Sequence, residues 1–338
     1  MKIIKVLVIN DEGGDIELEK EVIASSLGGR ADELTVKYIP AGDKKTMEKE
    51  LPEAHGVISV YTAFDRKTLE SMQKCKIIAT QTIGINTIDF DAATEQGIFI
   101  TNVPDYCIEE VASHTVALVL SCVRKITTYD KLARNKIWNI DDIYKYGRIH
   151  RLHGRTYGLV SFGNIAKRVA ELMKGFGMKV LAYDPFLSES VFKEYDVQRI
   201  ESLEDLFSSC DIISIHTPLT PKTEGMIDLE LLKKMRKNGI LINTSRGEIV
   251  KEDDLYNALK EGFLGSAGVD VIIDESEFES PLYELENAII TPHVAYYSEE
   301  SLIECRRKAA EQIGDVIGRG QIPKYLVNKS VVLKPRQY

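Results

Sequence analysis

Short runs of β-branched and aliphatic residues alternate with helical stretches along nearly the whole chain, in two blocks separated by one long apolar segment. This alternation is the signature of an α/β fold, because parallel neighbours need a crossover of a dozen or more residues, usually a helix. The first block holds IIKVLVIN (3–10), ELTVKYI (33–39), GVISVY (56–61), CKIIAT (75–80) and GIFITN (97–102) as strands. Helices are expected over 14–29, with a glycine stop, and over 65–73. The second block starts at Thr156 and runs through TYGLVSF, KVLAYD, DIISIHT, GILINTS, SAGVDVI and AIITPH. Between the blocks, about 106–128 reads as a single helix that crosses from one to the other. It is too apolar for a surface helix, and too short and interrupted to span a bilayer. Residues 129–153, with the single tryptophan Trp138, read as an arm on the surface or at a subunit contact. A last helical pattern, 298–320, cannot make a domain alone, so it is expected to pack back on the first block. A chain of 338 residues exceeds one ordinary core. The expectation is therefore two Rossmann-like or flavodoxin-like domains with parallel sheets, one made of 1–104 plus 298–338 and the other of 105–297.

Composition narrows the function. Hydrophobic residues make up 44% of the chain and charged residues 28%, a globular balance. The net charge of −9 argues against nucleic-acid or membrane-surface partners. The basic stretch 124–155, opposed only by Asp130, Asp141 and Asp142, reads as a solvated arm or subunit contact. Five scattered cysteines (Cys75, Cys107, Cys122, Cys210 and Cys305) form no CxxC or Cys/His pattern, so no metal site is expected. Reduced thiols and a cytoplasmic location are the simplest account. The opening MKIIKVLVIN is too short for a signal segment.

Two groups of residues point to chemistry. Arg246, Glu275 and His293 each stand near the end of a strand-like segment. In a parallel sheet, ligands bind outside the carboxyl ends of the strands. A guanidinium, a carboxylate and an imidazole gathered there can grip a carboxylate substrate and move a proton. The second group is Tyr157–Ala166, read as a strand, a turn and a helix start. Against G-x-G-x-x-G/A it keeps Gly163, whose duty is to let backbone approach a pyrophosphate, and it has Ala166 as an accepted third residue. Ser161 replaces the first glycine. Asp184 closes the next strand about 20 residues beyond Gly163, the spacing of an acid that binds adenosine ribose hydroxyls. No arginine follows it to receive a 2′-phosphate, which favours NAD over NADP.

Further blocks carry a resemblance. GINTID (84–89), ITNVPDYCIEEVASHTVALVL (100–120), DIISIHTPLTPKTEGMI (211–227), INTSRGEIV (242–250), GVDV (268–271) and TPHVAYYSEE (291–300) follow one another along the chain. With the nucleotide turn, they resemble the D-isomer-specific 2-hydroxyacid dehydrogenase family over nearly the whole length. VPDYCIEEVA and HVAYYSEE are similar to the subgroup of C-terminal-binding proteins and some phosphoglycerate dehydrogenases. Ser113 departs from the acidic residue common after the alanine of the VA(E/D) motif. The resemblance implies two domains with a cleft between them, and a homodimer built on the cofactor domain. It implies Arg246 on the substrate carboxylate, His293 as general acid and base, and Glu275 orienting the imidazole and stabilising its charged form. It also implies NAD (NADH) held by Ser161, Gly163, Asn164, Ile165 and Asp184, with Thr217, Thr244, Ser245 and Asp270 around the nicotinamide or its ribose. The backbone N–H groups of Ile83 and Gly84 would take the other carboxylate oxygen of a small 2-oxo or 2-hydroxy acid. The implied reaction is reversible NADH-dependent reduction of a 2-oxo acid. Its alternatives are an NAD(H)-sensing corepressor-like module and an NADPH-linked glyoxylate or hydroxypyruvate reductase.

Overall fold

The structure, a computed structural model, describes residues 3–10, 13–85, 87–139, 145, 147 and 149–333. The chain divides into two compact units, Met1–Tyr106 with Ser298–Tyr338, and Cys107–Tyr297.

The first unit is a five-stranded sheet: β1 (Ile4–Asn10), β2 (Leu34–Pro40), β3 (Gly56–Ser59), β4 (Ile77–Thr80) and β5 (Phe99–Thr101). Its order is β2-β1-β3-β4-β5, all parallel. β3 and β4 are buried at every position, which is why they read as unbroken apolar runs rather than alternating ones. The edge strand β2 instead alternates between covered and exposed positions. The helices are α1 (Glu17–Leu27), α2 (Lys44–Glu50), α3 (Arg66–Ser71) and α4 (Phe90–Glu95). The last three begin at Asp43, Asp65 and Asp89, whose carboxylates accept from the backbone N–H three residues on. Such a cap contributes about 1 kcal/mol each. The C-terminal helix Glu299–Ile313 belongs to this unit and starts with a capping box between Ser298 and Ser301. It packs beside α1, and Ile313 and Ile317 lie over Gly56 of β3.

The second unit contains α5 (Ile108–Arg124) and α6 (Ile126–Arg134), followed by a seven-stranded sheet. Its strands are β6 (Thr156–Val160), β7 (Lys179–Tyr183), β8 (Gln198–Arg199), β9 (Ile212–Ile215), β10 (Gly239–Asn243), β11 (Leu264–Val269) and β12 (Ala288–Ile290). The order is β12-β11-β10-β9-β6-β7-β8, again parallel. This is the doubly wound order, reversing between β6 and β9; the first sheet reverses between β1 and β3.

The segment read as one helix over 106–128 is two helices. Lys125 adopts φ 52° and ψ 41°, a left-handed residue that ends α5 and starts α6. The first helix is not a bare connector. Val111, Thr115, Leu118 and Cys122 form a buried stripe, and Leu118 lies against the β11 backbone at Gly268. Its apolarity thus comes from covering the second sheet, where each fully buried aliphatic side chain is worth about 1.5–3 kcal/mol. Of the proposed arm, 129–134 is helical and Trp138 is 85% exposed, while 140–144, 146 and 148 lie outside the described residues. Among the described residues, no helix is long and apolar enough to cross a membrane.

Candidate active site

At the C-terminal end of β6 the chain turns through Ser161 into α7 (Asn164–Gly175). Ser161 holds φ 73°, the left-handed conformation for which glycine is the usual choice. A side chain there costs roughly 1–2 kcal/mol. The serine recovers it locally: its Oγ donates to Asp184 Oδ2 at 3.0 Å. A hydrogen bond to a charged group contributes about 1.5–3 kcal/mol, so the turn holds without glycine. The N–H groups of Phe162 and Phe186 also donate to Asp184, each at 3.0 Å. Asp184 is only 7% exposed. Its first task is therefore to tie the turn between β6 and α7 to the end of β7; of about four acceptor sites on a carboxylate, roughly one remains free.

Gly163 is the N-cap of α7, and a Cβ built there would meet nothing within 4 Å. No side chain caps this helix and no acidic residue stands in its first turn. Asn164 is exposed and Ile165 half-buried. Open space in front of uncapped N–H groups at the positive end of a helix fits a pyrophosphate.

The second cluster lies past the C-terminal ends of β10, β11 and β12, three consecutive neighbours in the sheet. Arg246 follows β10, half-buried, with Nη1 donating to the Ser245 carbonyl at 2.7 Å. Among the described residues it pairs with no carboxylate. Glu275 stands six residues beyond β11, farther from its strand than the sequence pattern suggests. The two loops touch through Gly247, where a Cβ would come within 2.3 Å of the Ile272 carbonyl carbon and oxygen. His293 follows β12 with φ 51°. Its Nδ1 lies 2.8 Å from Glu275 Oε2, which leaves Nε2 clear of that contact.

Asp270, expected beside the nicotinamide, is 1% exposed and faces the His293 loop. Its Oδ1 accepts from the Thr291 hydroxyl and, at 3.0 Å, from Val294 N–H, while Oδ2 accepts from Ala295 N–H at 2.8 Å. Its own carbonyl accepts from His293 N–H at 2.8 Å. The carboxylate clamps both sides of His293 and so holds its left-handed backbone. His114, on α5, adds a contact to Thr291 Oγ1 at 2.9 Å. Thr244 Oγ1 lies 3.0 Å from Thr115 Oγ1, and Ser245 Oγ donates to the Ile215 carbonyl at 2.8 Å, tying the β10 loop to α5 and β9. Thr217 is half-buried, two residues past β9.

Residues 116–295 match the NAD-binding domain of the D-isomer-specific 2-hydroxyacid dehydrogenases. A glyoxylate reductase of Korarchaeum cryptofilum is 36% identical over 294 residues, covering 86% of this chain and 87% of that protein. A D-3-phosphoglycerate dehydrogenase of Methanocaldococcus jannaschii is 35% identical over 80% of this chain, which spans 51% of that longer protein. Among solved structures, D-lactate dehydrogenase from Aquifex aeolicus, complexed with NAD and lactic acid, superposes with a TM-score of 0.78 at 30% identity, over 93% of this chain and 96% of that one. This chain belongs to the D-isomer-specific 2-hydroxyacid dehydrogenase family. It is an NAD-dependent oxidoreductase that interconverts 2-oxo acids and D-2-hydroxy acids.

Within this dehydrogenase, His293 and Glu275 are in direct contact, with Arg246 two strands away in the same sheet. Ile83 and Gly84 lie in a loop of the other unit, after β4. The sequence reading did not single out His114, Thr115, Thr291 or Gly247. Thr291 stands two residues before His293, and Gly247 next to Arg246, so adjacency to a candidate was an available signal. Nothing local marks His114, whose contact is made across 177 residues.

Proposed function

We propose that Arg246, Glu275 and His293 carry the reduction of a small 2-oxo acid to its D-2-hydroxy acid. The supporting observation is the 2.8 Å contact between His293 Nδ1 and Glu275. It pins the imidazole by one nitrogen and leaves Nε2 to exchange a proton with the substrate oxygen. Bound NADH supplies the hydride; the chain binds, orients and moves the proton. Arg246, without a carboxylate partner among the described residues, pairs with the substrate carboxylate and polarises the ketone. The N–H groups of Ile83 and Gly84, which donate to no described residue, take the other carboxylate oxygen. In reduction, His293 Nε2–H gives its proton to the ketone oxygen; in oxidation Nε2 takes it back. Glu275 keeps the ring oriented and balances the imidazolium charge.

The open helix end at Gly163, Asn164 and Ile165 receives the pyrophosphate, with Ser161 and Asp184 toward the adenosine ribose. Thr217, Thr244 and Ser245 lie toward the nicotinamide ribose, and Asp270 acts there through the loop it holds. Residues 1–104 with 298–338 form the substrate-binding domain and 105–297 the NAD-binding domain. The protein works as a cytoplasmic homodimer, with the 125–153 arm at the subunit contact. Five buried, reduced cysteines suit a reducing compartment.

Similarity to a glyoxylate reductase puts glyoxylate first in a substrate panel, followed by pyruvate, hydroxypyruvate and phenylpyruvate. Turnover is expected with NADH and less with NADPH, because the Asp184 carboxylate repels a 2′-phosphate. His293→Ala should lower kcat roughly 10²–10⁴-fold, the usual range for losing a general acid. NADH affinity should be unchanged. Near-normal kcat in that variant overturns the assignment.

A further inference from the structure

The loop Thr82–Gly84 has both of its carbonyls pinned. Thr82 O accepts from Val103 N–H at 3.0 Å, and Ile83 O accepts from Asn102 Nδ2 at 2.7 Å. A carbonyl and the next residue's N–H share one rigid plane and point in opposite directions. Pinning these two carbonyls therefore aims the N–H groups of Ile83 and Gly84, and neither N–H donates to a described residue. The Thr82 hydroxyl donates to the Gly84 carbonyl at 2.5 Å and closes the loop on itself.

The pins themselves are held by one element, the C-terminal helix Glu299–Ile313. Gln312 Nε2 donates to the Asn102 carbonyl at 3.1 Å, and Gln312 Oε1 accepts from Tyr325 N–H at 3.1 Å, so this carboxamide is fixed at both ends. Six residues earlier, Arg306 Nε and Nη2 donate to the two carboxylate oxygens of Glu19, each at 2.7 Å. Glu19 is 1% exposed, and its Oε1 also accepts from Gln81 Nε2 at 3.3 Å. Gln81 immediately precedes the loop. It is 7% exposed and its Oε1 has no partner among the described residues, so the bond to Glu19 alone orients its carboxamide.

We propose that Gln81 and Gln312 are positioning residues, through which the C-terminal helix aims the Ile83 and Gly84 N–H groups at the substrate carboxylate. The proposal rests on those N–H groups being carboxylate donors. It gives the chain segment after the second unit a part in substrate affinity and none in cofactor affinity.

The test uses the full chain with the best 2-oxo acid of the panel. Gln81→Met and Gln312→Met keep side-chain volume and remove the amide. Each should raise KM about tenfold and leave kcat within about twofold, the pattern of lost uniform binding. The NADH dissociation constant, read by fluorescence titration, should not move. Gln312→Glu, which keeps shape but cannot donate to the Asn102 carbonyl, should reproduce the Gln312→Met result should that variant fold poorly. A role in stability alone would lower the active fraction, so kcat would fall with KM unchanged, and that overturns the proposal. Ile83→Pro separates the two layers because it deletes one N–H outright. A KM increase in Ile83→Pro with none in the glutamine variants overturns the positioning role and keeps the carboxylate reading. An unchanged KM in Ile83→Pro removes the carboxylate reading and the proposal with it.

Discussion

Ser161 keeps a left-handed turn that usually belongs to glycine, because its hydroxyl reaches Asp184. Two substitutions divide strain from bonding. Ser161→Gly loses the bond but also the strain; Ser161→Ala loses the bond and keeps the strain. The alanine variant should be the less stable by about 1 kcal/mol, and both should still bind NADH through Gly163. Identical melting temperatures for the two variants would show that the turn stores no strain. His216 is the second residue with a readable consequence. It follows β9, its Nε2 lies 2.7 Å from Ser214 Oγ, and burial pushes its pKa down to about 3. A histidine with a depressed folded pKa favours the folded state fully above the unfolded value of about 6.5, and that stability is lost as pH falls below it. Between pH 7 and 5 the wild type should lose on the order of 1–2 kcal/mol more than His216→Gln. Parallel denaturation midpoints across that range would rule the effect out.

The loops that carry the residues proposed to react touch one another beyond the strand ends. Gly247, next to Arg246, lies directly on the Ile272–Ile273 backbone, two residues before Glu275. Gly247→Ala would set its Cβ 2.3 Å from the Ile272 carbonyl, so one loop must move. Such overpacking costs about 1–3 kcal/mol. Since it separates the guanidinium from the histidine's partner, kcat/KM should fall at least about tenfold, as a misplacement of about 1 Å can cost. A Gly247→Ala variant with wild-type kcat/KM would mean that the contact does not position Arg246. The same scale explains the break at Lys125: a lysine in the left-handed region turns the chain so that α5 keeps its apolar stripe on the sheet while α6 carries a mostly polar face.

Across the whole molecule, the two units differ in how the chain closes them. Cys107–Tyr297 is continuous, whereas the other unit needs Ser298–Tyr338 to return. Without that return, Glu19 would lose its partner Arg306, and β3 would lose the cover of Ile313 and Ile317. Each fully buried aliphatic side chain is worth about 1.5–3 kcal/mol, so losing that cover removes a large part of a small domain's stability. Residues 107–297 expressed alone should therefore fold and bind NADH, while 1–106 alone should not give a cooperative thermal transition by circular dichroism. A cooperative melt of 1–106 would show that the returning helix is dispensable for that sheet.

The sequence by itself determined the α/β class and most strands, because a parallel strand buried on both faces must be a continuous apolar run such as IISI or GILIN. It also singled out Gly163 and the Arg246, Glu275 and His293 set, proposed here as the site, from residue type and place alone. The left-handed residue at Lys125 was not legible, since neither glycine nor asparagine announces it. Nor was the use made of Asp184 and Asp270. Both read as carboxylates at strand ends, open to a ligand. The structure turns them inward, onto N–H groups of the turn after β6 and of the His293 loop. Apolar periodicity is a local property that a window of residues reveals. Which donors satisfy a buried carboxylate depends on segments more than 20 residues away, and only tertiary packing brings those to it.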